Sequence, residues 1–172
     1  MKTLLLIILF SHNALAQCGT ERWDVKTLTD KDTSSIRFDK IVQRTVSDLR
    51  TLKAPNRPKS RTKEERVVVS LKTIIIKCGY EADGDYHLVL SDSGKTIIAE
   101  IPNPLCSTIN KKYSKQWSKC RAFIDSKISV TRKFKKCNIP VTITGLQFFD
   151  KIHSQNGVAP NGIEIHPVLS IQ

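Results

Sequence analysis

From residue 67 onward the hydrophobic positions fall into short blocks, and these blocks predict strands. Val67 to Cys78 (VVVSLKTIIIKC) is rich in β-branched residues and long enough to bend across a core. Tyr86 to Leu90 and Lys95 to Ile101 follow. Turn signals separate them at Ala82-Asp83-Gly84-Asp85 and Ser91-Asp92-Ser93-Gly94, and Pro102 and Pro104 end the third strand. Residues 107–128 place Trp117, Cys120, Phe123, Ile124 and Ile128 on one face, which predicts a helix. Two closing strands, Val141 to Phe149 and Ile163 to Ile171, flank the loop DKIHSQNGVAPN.

The resulting order, β-β-β-α-β-β with a long first strand, predicts a mainly β domain over residues 67–172. The order is similar to the five-stranded OB-fold barrel, in which closure removes exposed sheet edges. Residues 17–53 form an N-terminal arm and short helix: Trp23 and Val25 turn inward, and Thr45 to Lys53 suits a helical turn or two. Residues 54–66 (APNRPKSRTKEER) hold two prolines, five basic residues and no large apolar side chain, the composition of a linker.

The first sixteen residues carry a different pattern. Lys2 precedes the unbroken apolar run Thr3 to Phe10, and Ala14-Leu15-Ala16 supplies a small-x-small cleavage site. That is the layout of a secretory signal peptide, since a membrane anchor needs roughly 20 apolar residues. The expected location is therefore periplasmic or extracellular, with no transmembrane segment.

Export changes the meaning of charge and cysteine. The chain has 28 Lys and Arg against 16 Asp and Glu, and losing Lys2 with the signal leaves a net charge of +11. Such an excess favours polyanions or acidic proteins as partners. The basic residues cluster at Arg57, Lys59, Arg61, Lys63 and Arg66, and again at Lys111, Lys112, Lys115, Lys119, Lys133, Lys135 and Lys136. Tyr80 and Tyr113 are the candidates for exposed stacking rings. Cys18, Cys78, Cys106, Cys120 and Cys137 contain no C-x-x-C pair, which excludes zinc-ribbon and thioredoxin-like readings. Two disulfides and one leftover thiol are expected outside the cytoplasm, in any of fifteen arrangements.

Four stretches, GTERWDVKTLTD (19–30), DGDYHLVL (83–90), AEIP (99–102) and GVAPNGIEIHPVLSI (157–171), resemble a group of small exported bacterial proteins of unassigned function. The resemblance implies an exported OB-like domain and no particular mechanism. The barrel order is also shared with staphylococcal-nuclease-like proteins, whose acidic and arginine active-site residues find no matching positions here.

Strand alternation supplies the candidate site. If Tyr86, Leu88 and Leu90 face the core, Asp85 and His87 face the other way; if Ile163 and Ile165 point in, Glu164 and His166 point out. His153 and Asn161, from the preceding loop, approach the same surface. With one strand between them the two pairs are expected about 10 Å apart, which argues against a tight metal site and implies no cofactor. No G-x-S-x-G, H-E-x-x-H or Walker motif is present. The sequence thus points first to a non-enzymatic binding module for a polyanion or acidic partner. The alternatives are a metal-dependent hydrolase or nuclease-like enzyme using these His and carboxylate residues, and a structural envelope protein.

Overall fold

The computed structural model describes residues 18–56 and 58–172; residues 1–17, with the expected signal peptide 1–16, and Arg57 of the basic cluster lie outside them. The chain is mainly β. Its elements are α1 (Trp23–Lys26), β1 (Ile41–Gln43), α2 (Val46–Arg50), β2 (Val68–Tyr80), β3 (Tyr86–Asp92), β4 (Lys95–Ile101), α3 (Lys111–Asp125), β5 (Lys135–Phe149) and β6 (Ile163–Ile171). The strands form one sheet in the order β1-β2-β3-β4-β6-β5, and β2 pairs in addition with β5. Neighbours are antiparallel except β1–β2 and β4–β6.

The sheet has six strands rather than five. The extra one, β1, is three exposed residues lying parallel to Val68–Ser70 at the edge of β2. It has no buried face, so no periodicity announces it. The fifth strand also begins six residues earlier than its hydrophobic pattern, at Lys135, because the second half of β2 takes Lys135 to Pro140 as its partner. A register shift between Ile75 and Lys77 marks where β2 bends.

One face of the sheet holds the core. Leu88, Leu90, Ile97, Ala99, Ile101, Ile163 and Ile165 meet there and are closed off by α3, whose Tyr113, Trp117, Cys120 and Ile124 recur at helical spacing. Asn110 caps this helix by accepting from Lys112 N, so it starts at Lys111. Tyr113 is buried against Trp117 and Phe38 and presents no free stacking surface.

The opposite face of β3, β4 and β6 is covered too, and that cover positions the site. The arm crosses it: Arg22 and Lys26 lie over the Phe148 ring, and Trp23 Nε1 donates to Thr108 Oγ1. The 150–162 loop adds a second flap, with Gly157 pressed against Val89. A disulfide joins Cys18 to Cys106; Cys78, Cys120 and Cys137 are thiols, so the described chain has one disulfide where two were expected. Among the described residues no helix is long and apolar enough to cross a membrane.

Candidate metal centre

The β3–β4 ladder sets His87 directly opposite Glu100. Parallel pairing of Ile98 with Glu164 then brings the following residues of β4 and β6, Glu100 and His166, side by side. Side chains two apart along a strand share a face, so His87, Glu100, Glu164 and His166 converge on the covered side. The tight turn before β3 adds Glu81, Asp83 and Asp85; it closes through Gly84 N to Glu81 O (3.0 Å) and Glu81 N to Asp85 O (3.0 Å). Gly84 has φ +84°, a conformation that suits glycine.

The contacts are close. His87 Nδ1 lies 2.8 Å from Glu81 Oε1 and 3.2 Å from Glu100 Oε1. His166 Nδ1 lies 3.0 Å from Glu100 Oε2, and its Nε2 lies 3.7 Å from Asp85 Oδ2. His87 Nε2 is 2.9 Å from the Asn156 carbonyl, which can only accept, so this nitrogen carries a proton and the other is left to face the carboxylates. Phe134 stands edge-on to the His87 ring and Phe148 packs against His166. Asp85 Oδ1 accepts from Asn103 N at 2.7 Å.

These are ion-pair distances for protonated imidazoles, and none of the four contacts counts as a hydrogen bond. His87 Nδ1, both nitrogens of His166, Asp85 Oδ2 and both oxygens of Glu164 are buried without a hydrogen-bond partner among the described residues. Buried polar atoms are nearly always satisfied, so a cluster of such orphans calls for an explanation.

The electrostatics are unbalanced in the same direction. Burial pushes Asp85 well above the usual carboxylate range, helped by Asp83 and Glu100. Glu164 is also pushed well up by burial, with Glu100 and Asp150 adding to it. Burial alone would raise Glu100, but contact with His166 and His87 outweighs it and holds this carboxyl well below its ordinary value. Burial opposes charge on His87, yet Glu100 and Glu81 raise its pKa to about 10. Lys26 is raised despite burial by Glu100, Asp150 and Glu164, and donates to Asp150 Oδ2 at 3.1 Å. One ammonium and the His87 imidazolium thus sit among Glu81, Asp83, Asp85, Glu100, Asp150 and Glu164.

Two sets of three groups can hold a cation here. Glu81, His87 and Glu100 offer atoms within 4.8 Å of one another, and so do Asp85, Glu100 and His166. Glu81 keeps a third of its side chain exposed and, with Asp83, Lys26 and Trp23, lines a cleft of about 230 Å³ that connects the cluster to solvent.

The structure therefore separates the residues singled out by alternation. Asp85, His87, Glu164 and His166 come together, but buried rather than outward, because the arm and the 150–162 loop roof their face. The two pairs approach closer than the expected 10 Å, His166 Nε2 lying 3.7 Å from Asp85 Oδ2, and Glu100 joins His87 to His166 from the strand between. His153 is exposed and outside the cluster. Asn161 is a latch: its Nδ2 donates to Leu49 O and Leu52 O, both at 3.0 Å. Glu100, Glu81, Asp83, Lys26 and Asp150 were not singled out from sequence. The signal for Glu100 was available, as it is the lone acid in the apolar run IIAEI on the face opposite Ile97, Ala99 and Ile101.

The basic residues divide as well. Arg61 is buried, donating to Asp30 Oδ2 (2.7 Å) and Val25 O (2.6 Å), and contributes nothing to a charged surface. Lys135 is half-buried and donates to Ser129 O. Lys59, Lys63, Arg66, Lys111, Lys133 and Lys136 are exposed. Lys112, Lys115 and Lys119 edge a groove of about 510 Å³ floored by Leu169 and Ile171. No protein-family model matches the chain, and no curated protein or solved structure matches it.

Proposed function

We propose that this chain is an exported metal-dependent domain of the hydrolase class, its working centre a divalent transition-metal site between β3, β4 and β6. One observation carries this reading. Two fully buried imidazoles aim nitrogens at carboxylates without hydrogen-bond geometry, while His87 donates its other ring N–H to the Asn156 carbonyl. Metal-bound histidines are oriented in that way. Imidazole with carboxylate suits zinc, iron or manganese rather than calcium or a soft-metal thiolate site. Three protein ligands beside a cleft leave a position for a further ligand, as catalytic rather than structural sites do.

Two further facts support it. The four stretches on which the resemblance rests supply Lys26, Asp83, Asp85, His87, Glu100, Glu164 and His166, from distant parts of the chain to one point. The ring of pairings β2-β3-β4-β6-β5-β2 supports an OB-like barrel with β1 attached outside it. The test is metal analysis of the purified mature chain after dialysis against zinc or manganese. Bound metal, lost in His87→Ala, is expected; wild-type protein that retains none sinks the proposal.

A second reading, a polyanion-binding module, is favoured by Lys112, Lys115 and Lys119 on one groove edge. It requires retention on heparin or DNA that falls steeply with salt and is lost when the three lysines become glutamate.

A further inference from the structure

We infer that the site takes two divalent ions bridged by Glu100; this rests on the metal reading above and adds its stoichiometry. Glu100 stands on the middle strand, and its two oxygens are turned to different imidazoles, Oε1 to His87 Nδ1 at 3.2 Å and Oε2 to His166 Nδ1 at 3.0 Å. The two candidate ligand sets, Glu81–His87–Glu100 and Asp85–Glu100–His166, have this one residue in common. Metal–ligand distances near 2.0–2.2 Å limit two ligand atoms on one ion to about 4.4 Å apart. Each set, already gathered within 4.8 Å, closes to that span with small side-chain movements. A carboxylate offering one oxygen to each set is the geometry of paired sites, whose ions sit about 3.5–4 Å apart.

Glu164, its two oxygens buried without a hydrogen-bond partner among the described residues, lies on β6 beside the second set.

The experiment titrates Mn(II) into the full mature chain, reading stoichiometry by calorimetry and coupling by electron paramagnetic resonance. Two ions per chain and an exchange-coupled multiline spectrum are expected. Glu81→Gln, at the exposed rim, is expected to weaken one ion at least tenfold and leave an uncoupled six-line spectrum from the other. Wild-type protein binding one ion with a six-line spectrum overturns the bridged pair while leaving the metal reading intact. Wild-type protein binding no ion overturns both. Because the decisive spectrum is that of the unmodified chain, no variant has to fold for the inference to fail.

Discussion

Arg22 grips Glu65 with both guanidinium ends, Nη1 to Oε1 at 2.8 Å and Nη2 to Oε2 at 2.7 Å. The same carboxylate accepts from Phe149 N (2.9 Å) and Thr62 N (2.7 Å), and Arg22 Nη1 also donates to Phe149 O (3.0 Å). One buried pair thereby ties the arm, the segment before β2 and the end of β5 together beside the candidate site. Arg22→Ala leaves Glu65 buried and unpaired, a loss of about 3–5 kcal/mol. Urea unfolding should show it; a change under about 0.5 kcal/mol would mean the arm is held by other contacts.

Acid should dismantle this contact in a defined window. Burial works to raise the Glu65 pKa, but Arg22 and the Phe149 and Thr62 amides outweigh it, so the folded value lies below the ordinary 4.5. A depressed carboxyl pKa stabilises fully above the unfolded value, and the contribution disappears as pH falls through the folded one. The urea midpoints of wild type and Glu65→Gln should differ by a constant amount above the ordinary carboxyl range and converge as pH falls below 4.5 through the folded value. A gap that widens on acidification would refute the assignment.

Gly157 connects the flap to the site. Its φ is +84°, and a Cβ there would fall 2.5 Å from Val89 Cγ1. Gly157→Ala should cost roughly 1–2 kcal/mol from backbone conformation alone. It should also displace the neighbouring Asn156 carbonyl from His87, weakening metal binding on the order of tenfold. An alanine variant with unchanged Tm and unchanged Mn(II) affinity would show that the flap does not set the His87 ring.

The cysteines left as thiols are not equivalent. Cys78 and Cys137 interact with each other across β2 and β5, and the Cys137 thiol also reaches Ile75 O at 3.3 Å. Cys120 is buried on α3, where burial raises its pKa to about 11. Non-reducing peptide mapping of secreted protein should find Cys18–Cys106 and Cys78–Cys137, with Cys120 alone alkylated after unfolding. Recovery of alkylated Cys78 in the oxidised chain would refute the second bridge.

How legible was this from sequence? Strands punctuated by chemistry were read to the residue: Lys95–Ile101 ends at Pro102, and Ile163–Ile171 starts after Asn161-Gly162. Lys135 to Pro140 was missed because lysines, an asparagine and a proline look like loop; the segment is a strand only because β2 is long enough to need it. For the site, alternation placed Asp85, His87, Glu164 and His166 on a common face. It could not report that the face is roofed, since the roof comes from Arg22 to Lys26 and from residues 150–162, far away in the chain. Burial is what makes this set of acids and imidazoles a candidate metal centre.

The Cys18–Cys106 bridge joins residues 88 apart in sequence, and within that loop lie α1, the turn with Glu81 and Asp85, and both His87 and Glu100. Asp150, the Asn156 carbonyl, Glu164 and His166 come from beyond it. Closing a loop of this length disfavours the unfolded chain by about 4–5 kcal/mol in the chain-entropy account. A chain still reduced would hold its N-terminal arm loosely over the candidate site and compete poorly for metal. On the proposed export and metal reading, oxidation would then act as a timer, delaying capture of ions until the Cys18–Cys106 bridge has formed.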